Sequence, residues 1–303
     1  MQGDGRHERD TAAQPFPFSG AALIRSLLLM AVLVCTACAK EQTPTIRDDV
    51  GRPVALPRRV SRLITLAPNL TEIVYAVGSG DRLVGTDQFS DEPAAAKALP
   101  KVGGMQPNVE KIAALRPDLV LATTNGNYPN LAPALAAVHI PLFVVRTDRL
   151  DDIPKAMTRV AAILGSPRAD ATANVRAAID AQKRTRSRPP RVLFAVWTDP
   201  LYVAGVNTFT HDLLRLTGAA NVVQVNGWPQ YSLESLVASP PDLVLYPDKS
   251  VSRAQIDKLL AVAPSLRNVK AVAVDENLFT RPGPRVGRAA AEMNRIFDEL
   301  PPR

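Results

Sequence analysis

Seven aromatic side chains stand just after short apolar runs: Phe89, Tyr128, Trp197, Tyr202, Trp228, Tyr231 and Phe279. Only 15 of the 303 residues are aromatic, so such positions hold almost half of that type. A ring in a loop is poorly solvated, and it usually rests either on the core or on a ligand. One alone reads as packing. Seven gathered this way favour a ligand site over packing.

Covalent chemistry has far less to stand on. The histidines, His7, His139 and His211, are scattered, and no serine elbow, phosphate loop or Cys–His pair accompanies them. A metal centre would want several histidines with carboxylates nearby, so none is expected. An α/β hydrolase or transferase of the cell envelope would need a nucleophile beside a base. The chain offers no convincing spacing for one, and a binder is favoured over an enzyme.

Carboxylates form a second, separate pattern. The phrase Glu110-Lys-Ile-Ala-Ala-Leu-Arg-Pro-Asp-Leu-Val-Leu-Ala122 returns as Glu234-Ser-Leu-Val-Ala-Ser-Pro-Pro-Asp-Leu-Val-Leu-Tyr246. Each copy reads as a helix opened by a glutamate, a proline stop and a buried strand. Two copies suggest paired lobes, because a solenoid needs at least three repeats. Read from the residues alone, Glu110 and Glu234 are also what the first turn of a helix favours.

The elements that must position these groups alternate along the chain. Strands are expected at 62–67, 83–85, 118–122 and 141–145, then at 191–196, 221–225, 242–245 and 271–274. Their apolar residues run without interruption, as in parallel sheets covered on both faces. Helical stretches fall between them at 71–77, 93–99, 109–115, 130–138, 209–216, 233–238 and 253–262, with a last one at 285–300. Strand alternating with helix is the α/β signature. Between the halves, one helix is expected over 150–164 and a longer one over 166–186. The longer helix has Ser166 as N-cap, Pro167 at its first position and Pro189-Pro190 as its stop. About 21 residues would span roughly 30 Å. Val175 and Ile179 are its only large apolar residues, so it should be mostly solvated.

The sequence thus divides into an extension, signal and tether (1–44), an N-terminal α/β lobe (45–150), linking helices (151–188) and a C-terminal α/β lobe (189–303). In open α/β sheets, ligands bind beyond the carboxyl ends of the strands, which is where the loop aromatics fall.

Both cysteines lie in the run LLLMAVLVCTAC that ends at Cys38. A basic residue (Arg25), about a dozen apolar residues and then small ones make an export signal. That run is too short to span a bilayer, which takes about 20 apolar residues. Cys35-Thr-Ala-Cys38 resembles a bacterial lipobox, with Cys38 as the lipid-bearing residue of a periplasmic protein. A mature chain with at most one cysteine forms no internal disulfide. The net charge of +7 comes from scattered basic residues without interleaved aromatics, so no nucleic-acid partner is expected.

Five strings complete the reading: Arg62-Leu-Ile-Thr-Leu-Ala-Pro-Asn-Leu-Thr-Glu72, Val102-Gly-Gly-Met-Gln-Pro-Asn-Val-Glu110, Arg116-Pro-Asp-Leu-Val120, Trp228-Pro-Gln230 and Arg281-Pro-Gly-Pro-Arg285. In this order they resemble the substrate-binding proteins of ABC importers. The resemblance is to the helical-backbone group that takes cobalamin, haem and iron siderophores, and it lies nearest the cobalamin binders. It implies two Rossmann-like lobes with mostly parallel sheets joined by a single long helix, the class III periplasmic binding protein fold. It also implies a monomer without cofactor, whose ligand is handed to a membrane permease with its ATPase.

By the same resemblance Glu110 and Glu234 dock the permease. Pro68, Phe89, Tyr202, Trp228 and Asn277 line the cleft, and the loop reading adds Tyr128, Phe279 and Arg281. Gly104 and Thr123 stand where cobalamin binders carry aromatics, so a roomier cleft is expected. Haem remains open through an axial Tyr128, Tyr202 or Tyr231. An anionic siderophore would rely on Arg281 and Arg285, although Arg285 also reads as a structural ion-pair residue.

Overall fold

The computed structural model describes residues 45–126, 128–166, 168 and 170–300. Cys35, Cys38, the signal and Pro167 lie outside them. A small antiparallel hairpin, β1 (Thr45–Arg47) and β2 (Pro53–Ala55), comes first. It is followed by β3 (Leu63–Thr65), α1 (Pro68–Ala76), β4 (Leu83–Thr86), α2 (Val109–Ala114), β5 (Leu119–Thr123), α3 (Tyr128–Ala137) and β6 (Leu142–Val145). Two helices lead across, α4 (Asp152–Leu164) and α5 (Asp170–Asp180). The second half contains β7 (Arg191–Thr198), β8 (Leu201–Val203), α6 (Phe209–Leu216), β9 (Ala220–Asn221), α7 (Leu233–Ala238), β10 (Leu243–Pro247), α8 (Arg253–Leu260), β11 (Lys270–Val274), α9 (Glu276–Phe279) and α10 (Val286–Asp298).

The halves share one strand order. The first sheet runs β4-β3-β5-β6, all parallel. The second runs β9-β7-β10-β11, also parallel, with β8 added antiparallel at the far end of β7. The repeated phrase occupies matching places. Leu119 pairs with Leu63 and Leu243 pairs with Val192, each one residue after the repeat's aspartate. Asp118 donates its amide N–H to the Arg62 carbonyl and Asp242 donates to that of Arg191, both at 2.7 Å. Each carboxylate takes the returning amide N–H, from Arg62 and Arg191, at 2.9 Å. The repeated aspartates are therefore clasps that start the first strand of each sheet.

Each sheet keeps a private core on its outer face, around Ile112, Val120 and Leu135 in one half and Leu193, Val244 and Ile256 in the other. The inner faces share a third core. It runs from Phe143 and Ile73 through Met157, Val160, Val175 and Ile179 to Met293, Leu213 and Phe194. A row of helices, α1-α4-α5-α10-α6, fills this layer between the sheets. The spacing of Ile153, Ala156, Met157, Val160 and Leu164 buries one face of α4. Gly165, in the left-handed conformation at φ 55°, ends that helix.

Two local expectations are corrected. The long helix of 166–186 is α5, eleven residues and about 16 Å. Past Asp180 the chain is an irregular strap. The Arg186 guanidinium pins it to the Thr217 carbonyl (3.0 Å) and to Asp298 (2.7 Å), contacts a continuing helix would not make. Ser166 donates its hydroxyl to the Val77 carbonyl beyond α1 and its oxygen takes the Arg168 N–H at 3.4 Å, in keeping with a cap. The strand at 221–225 stops after Asn221, whose side-chain oxygen turns to accept the Val223 N–H at 3.0 Å. Along α5, Val175 and Ile179 are the buried pair, as expected. Among the described residues no helix is long and apolar enough to cross a membrane.

Candidate functional site

The first wall is built at the carboxyl ends of β3, β4 and β5. Pro68 opens α1 at the position where its missing N–H loses no helical bond. A chain of hydroxyls then braces the β4 loop: Thr65 to Thr71 (2.6 Å), Thr71 to Ser90 (2.7 Å), and Ser90 to the Asp87 carboxylate. The other Asp87 oxygen accepts the Phe89 N–H at 2.9 Å, a local turn that pushes the Phe89 ring outward, half exposed. Burial raises the Asp87 pKa, while bonds from Ser90 and Phe89 and the charges of Lys101 and Arg281 oppose the rise. Lys101 donates three bonds, to Thr86, Ser90 and Ala96, so that ammonium is committed to the loop. A recess of about 130 Å³ opens between Pro68, Phe89, Gly104, Met105, Thr123 and Tyr128.

The second wall rises from β7 and β8. Trp197 stands opposite Tyr202 in this hairpin, beside a bulge, and its indole N–H donates to the Asp199 carbonyl at 2.9 Å. The segment carrying Trp228 lies against β8, held by Val203 N–H to Pro229 and Tyr231 N–H to Leu201. Trp197, Tyr202 and Trp228 are each at least a third exposed, so three rings gather on one surface. Tyr231 instead packs on the outer core.

A polar floor lies where the two halves touch. Arg281, after β11, donates to Asp91 of the β4 loop at 2.6 Å, to Asn277 at 2.7 Å and to the Phe89 carbonyl at 3.1 Å. Asn277 donates its amide to the other Asp91 oxygen at 3.1 Å. Behind them Arg285 closes both arms on Glu72, at 2.7 and 2.8 Å. That hydrogen bond raises the Arg285 pKa against its burial. Asn69 adds a bond to the Pro282 carbonyl at 3.2 Å. These ties bring the carboxyl ends of both sheets to one region.

Residues 63–277 match the family described as periplasmic binding protein, a stretch from the first residue of β3 to the floor asparagine. The chain belongs to the periplasmic binding proteins. A vitamin B12-binding protein of Yersinia pestis (strain Pestoides F) is 31% identical over 256 residues, covering 82% of this chain and 90% of the relative. Among solved structures, the periplasmic haem-binding protein RhuT of Roseiflexus sp. RS-1 superposes with a TM-score of 0.71 at 28% identity, over 78% of this chain and 97% of that one. The periplasmic vitamin B12 binding protein BtuF of Vibrio cholerae shares the fold, with a TM-score of 0.66 at 24% identity, covering 80% and 100% of the two chains.

In this periplasmic binding protein the candidate residues divide into groups. Pro68, Phe89 and Tyr128 border the recess of the first wall, and Tyr202 and Trp228 form the second. Asn277 and Arg281 make the floor. Phe279 is corrected: it is fully buried in the shared core, because the short α9 turns it inward. Arg285 is an ion-pair residue. Gly104 borders the recess, and a Cβ there would sit 2.6 Å from the Gln88 amide and 3.1 Å from the Phe89 ring, so those side chains lie close against it.

The recess and the floor also contain residues that no sequence pattern marks. Met105 is 73% exposed at the rim of the recess, and a methionine carries no loop-aromatic signal. Asp91, the acceptor at the centre of the floor, had no motif to mark it. The histidines of the described chain stand elsewhere: His139 borders a groove beside β2, and His211 sits on α6 near Asn221. Glu110 and Glu234 are both exposed at the second position of their helices, after the caps Asn108 and Ser232. The two carboxylates are thus equivalent in the two halves.

Proposed function

We propose that the protein captures a cobalamin-type corrinoid between its two lobes, 45–150 and 189–303, and delivers it to an ABC permease and its ATPase. The observation that carries this reading is the state of Arg281. The floor guanidinium is paired with Asp91, Asn277 and a carbonyl, leaving no free arm for the carboxylates of haem or an anionic siderophore. Apart from the exposed Lys249 near Asp91, what remains for contact is aromatic and apolar surface from both walls plus amide and carboxylate acceptors, which suits a bulky macrocycle fringed with neutral carboxamides. The vitamin B12-binding relative at 31% identity supports it. Export by the 1–44 segment, attachment through a lipid on Cys38, and docking through Glu110 and Glu234 complete the reading.

A haem reading has one specific support, the partly exposed phenols of Tyr128 and Tyr202 with a haem-binding neighbour at 28% identity. Titration with cyanocobalamin, haem and a ferric siderophore, followed by absorbance and tryptophan fluorescence, separates the two. Saturable quenching by micromolar cyanocobalamin is expected. No response to it, together with a shifted haem Soret band, would transfer the assignment to haem.

A further inference from the structure

We propose that Asp91 is a specificity determinant of the cleft, masking Arg281 so that the floor accepts carboxamides and turns away carboxylates. The inference rests on the corrinoid reading above and names what that site selects. A guanidinium stays charged at every accessible pH, and its planar fork matches a carboxylate. An open arginine in a cleft would therefore recruit acidic ligands. Here the Arg281 side chain is only 11% exposed, whereas its partner Asp91 is 38% exposed. An arriving molecule meets the aspartate before the guanidinium.

The geometry leaves little slack. Asp91 Oδ1 takes Arg281 Nη1 at 2.6 Å, and Asp91 Oδ2 takes the Asn277 amide at 3.1 Å. The second Arg281 arm is used by Asn277 Oδ1 and the Phe89 carbonyl, and Glu72 lies 3.5 Å from the first. Lys249 adds its charge near Asp91 from the second half, and Asp87 lies buried behind the loop. A neutral amide N–H can donate to the exposed Asp91 oxygens. A carboxylate at the same place would face like charge with its natural partner already engaged. Asp91 is thus a positioning and screening residue, and Arg281 is the group it screens.

The test uses the mature full-length protein and three probes: cyanocobalamin, a cyanocobalamin monocarboxylate with one peripheral amide hydrolysed, and hemin. Wild type should prefer cyanocobalamin to its monocarboxylate. Asp91→Ala should narrow that preference by about tenfold at low salt and raise hemin affinity, the scale of one hydrogen bond to a charged group. Adding Arg281→Gln should cancel the gain, which a merely structural role for Asp91 would not do. Asp91→Asn, which keeps the shape and removes the charge, should give the same direction should the alanine variant fold poorly. An unchanged amide-to-carboxylate ratio in both single variants overturns the proposal. Failure of wild type to bind cyanocobalamin overturns the corrinoid reading instead.

Discussion

Asp91 and Asp87 lie four residues apart on one loop and answer acid in opposite directions. Partial burial works against the Asp91 charge, but hydrogen bonds from Arg281 and Asn277 and the charges of Arg281 and Lys249 outweigh it, so its pKa lies below the usual carboxylate value. Its stabilisation is present above the unfolded-state pKa, near 4, and is lost as pH falls through the lower folded value. Asp87 is raised by burial, so stability falls as pH climbs from the ordinary value to the raised one. Melting curves across pH 2 to 7 should therefore show Asp91→Asn losing its deficit in acid, and Asp87→Asn gaining relative to wild type above the carboxylate range. Equal slopes for both variants would contradict these assignments. At this scale the sequence was informative about position and silent about direction. The loop aromatics stood where an apolar run ended, which a one-dimensional pattern can show. Whether a ring turned outward, as Phe89 does, or inward, as Phe279 does, depended on an aspartate turn and a four-residue helix that no periodicity marks.

Among the elements, α5 and α10 meet at a contact without slack. A Cβ on Gly287 would stand 2.7 Å from the Ala178 Cβ and 3.2 Å from its backbone. Alanine is favoured over glycine in a helix by about 1 kcal/mol, whereas overpacking costs about 1–3 kcal/mol. With backbone as the obstacle the clash should win, so Gly287→Ala should lower the urea midpoint. A rise would mean that the helices separate freely. On α7, Leu233 and Val237 share one exposed face beside Glu234. Exposed ion pairs contribute only about 0–1 kcal/mol, so in the docking proposed above this apolar pair should carry much of the second lobe's grip on a permease. Leu233→Ser with Val237→Ser should weaken complex formation at least as much as Glu234→Ala, measured with permease in detergent and with ligand affinity unchanged. The strands were legible because their apolar runs are unbroken. The extra strand β8 was not, since three residues after Pro200 give no period to read.

For the whole molecule, the shared layer decides behaviour. The lobes are joined through one apolar core and through Asp91–Arg281, Glu72–Arg285 and Arg149–Asp212, the last at 2.7 Å. Unfolding one half would strip the inner face of the other, so the two should melt together. Both tryptophans, Trp197 and Trp228, belong to the second half, while far-ultraviolet circular dichroism sees every helix. Coincident transitions by the two probes are expected, and an earlier fluorescence transition would show independent lobes. Small changes in solution scattering on ligand binding follow from the same ties.

The matched strand orders carry a further meaning. Either half, made alone, would leave a broad greasy flank of helices in water, and its natural remedy would be a second copy pressed against that flank. Within one polypeptide each half supplies that cover for the other, and the strap between Asp180 and Arg191 keeps the two together.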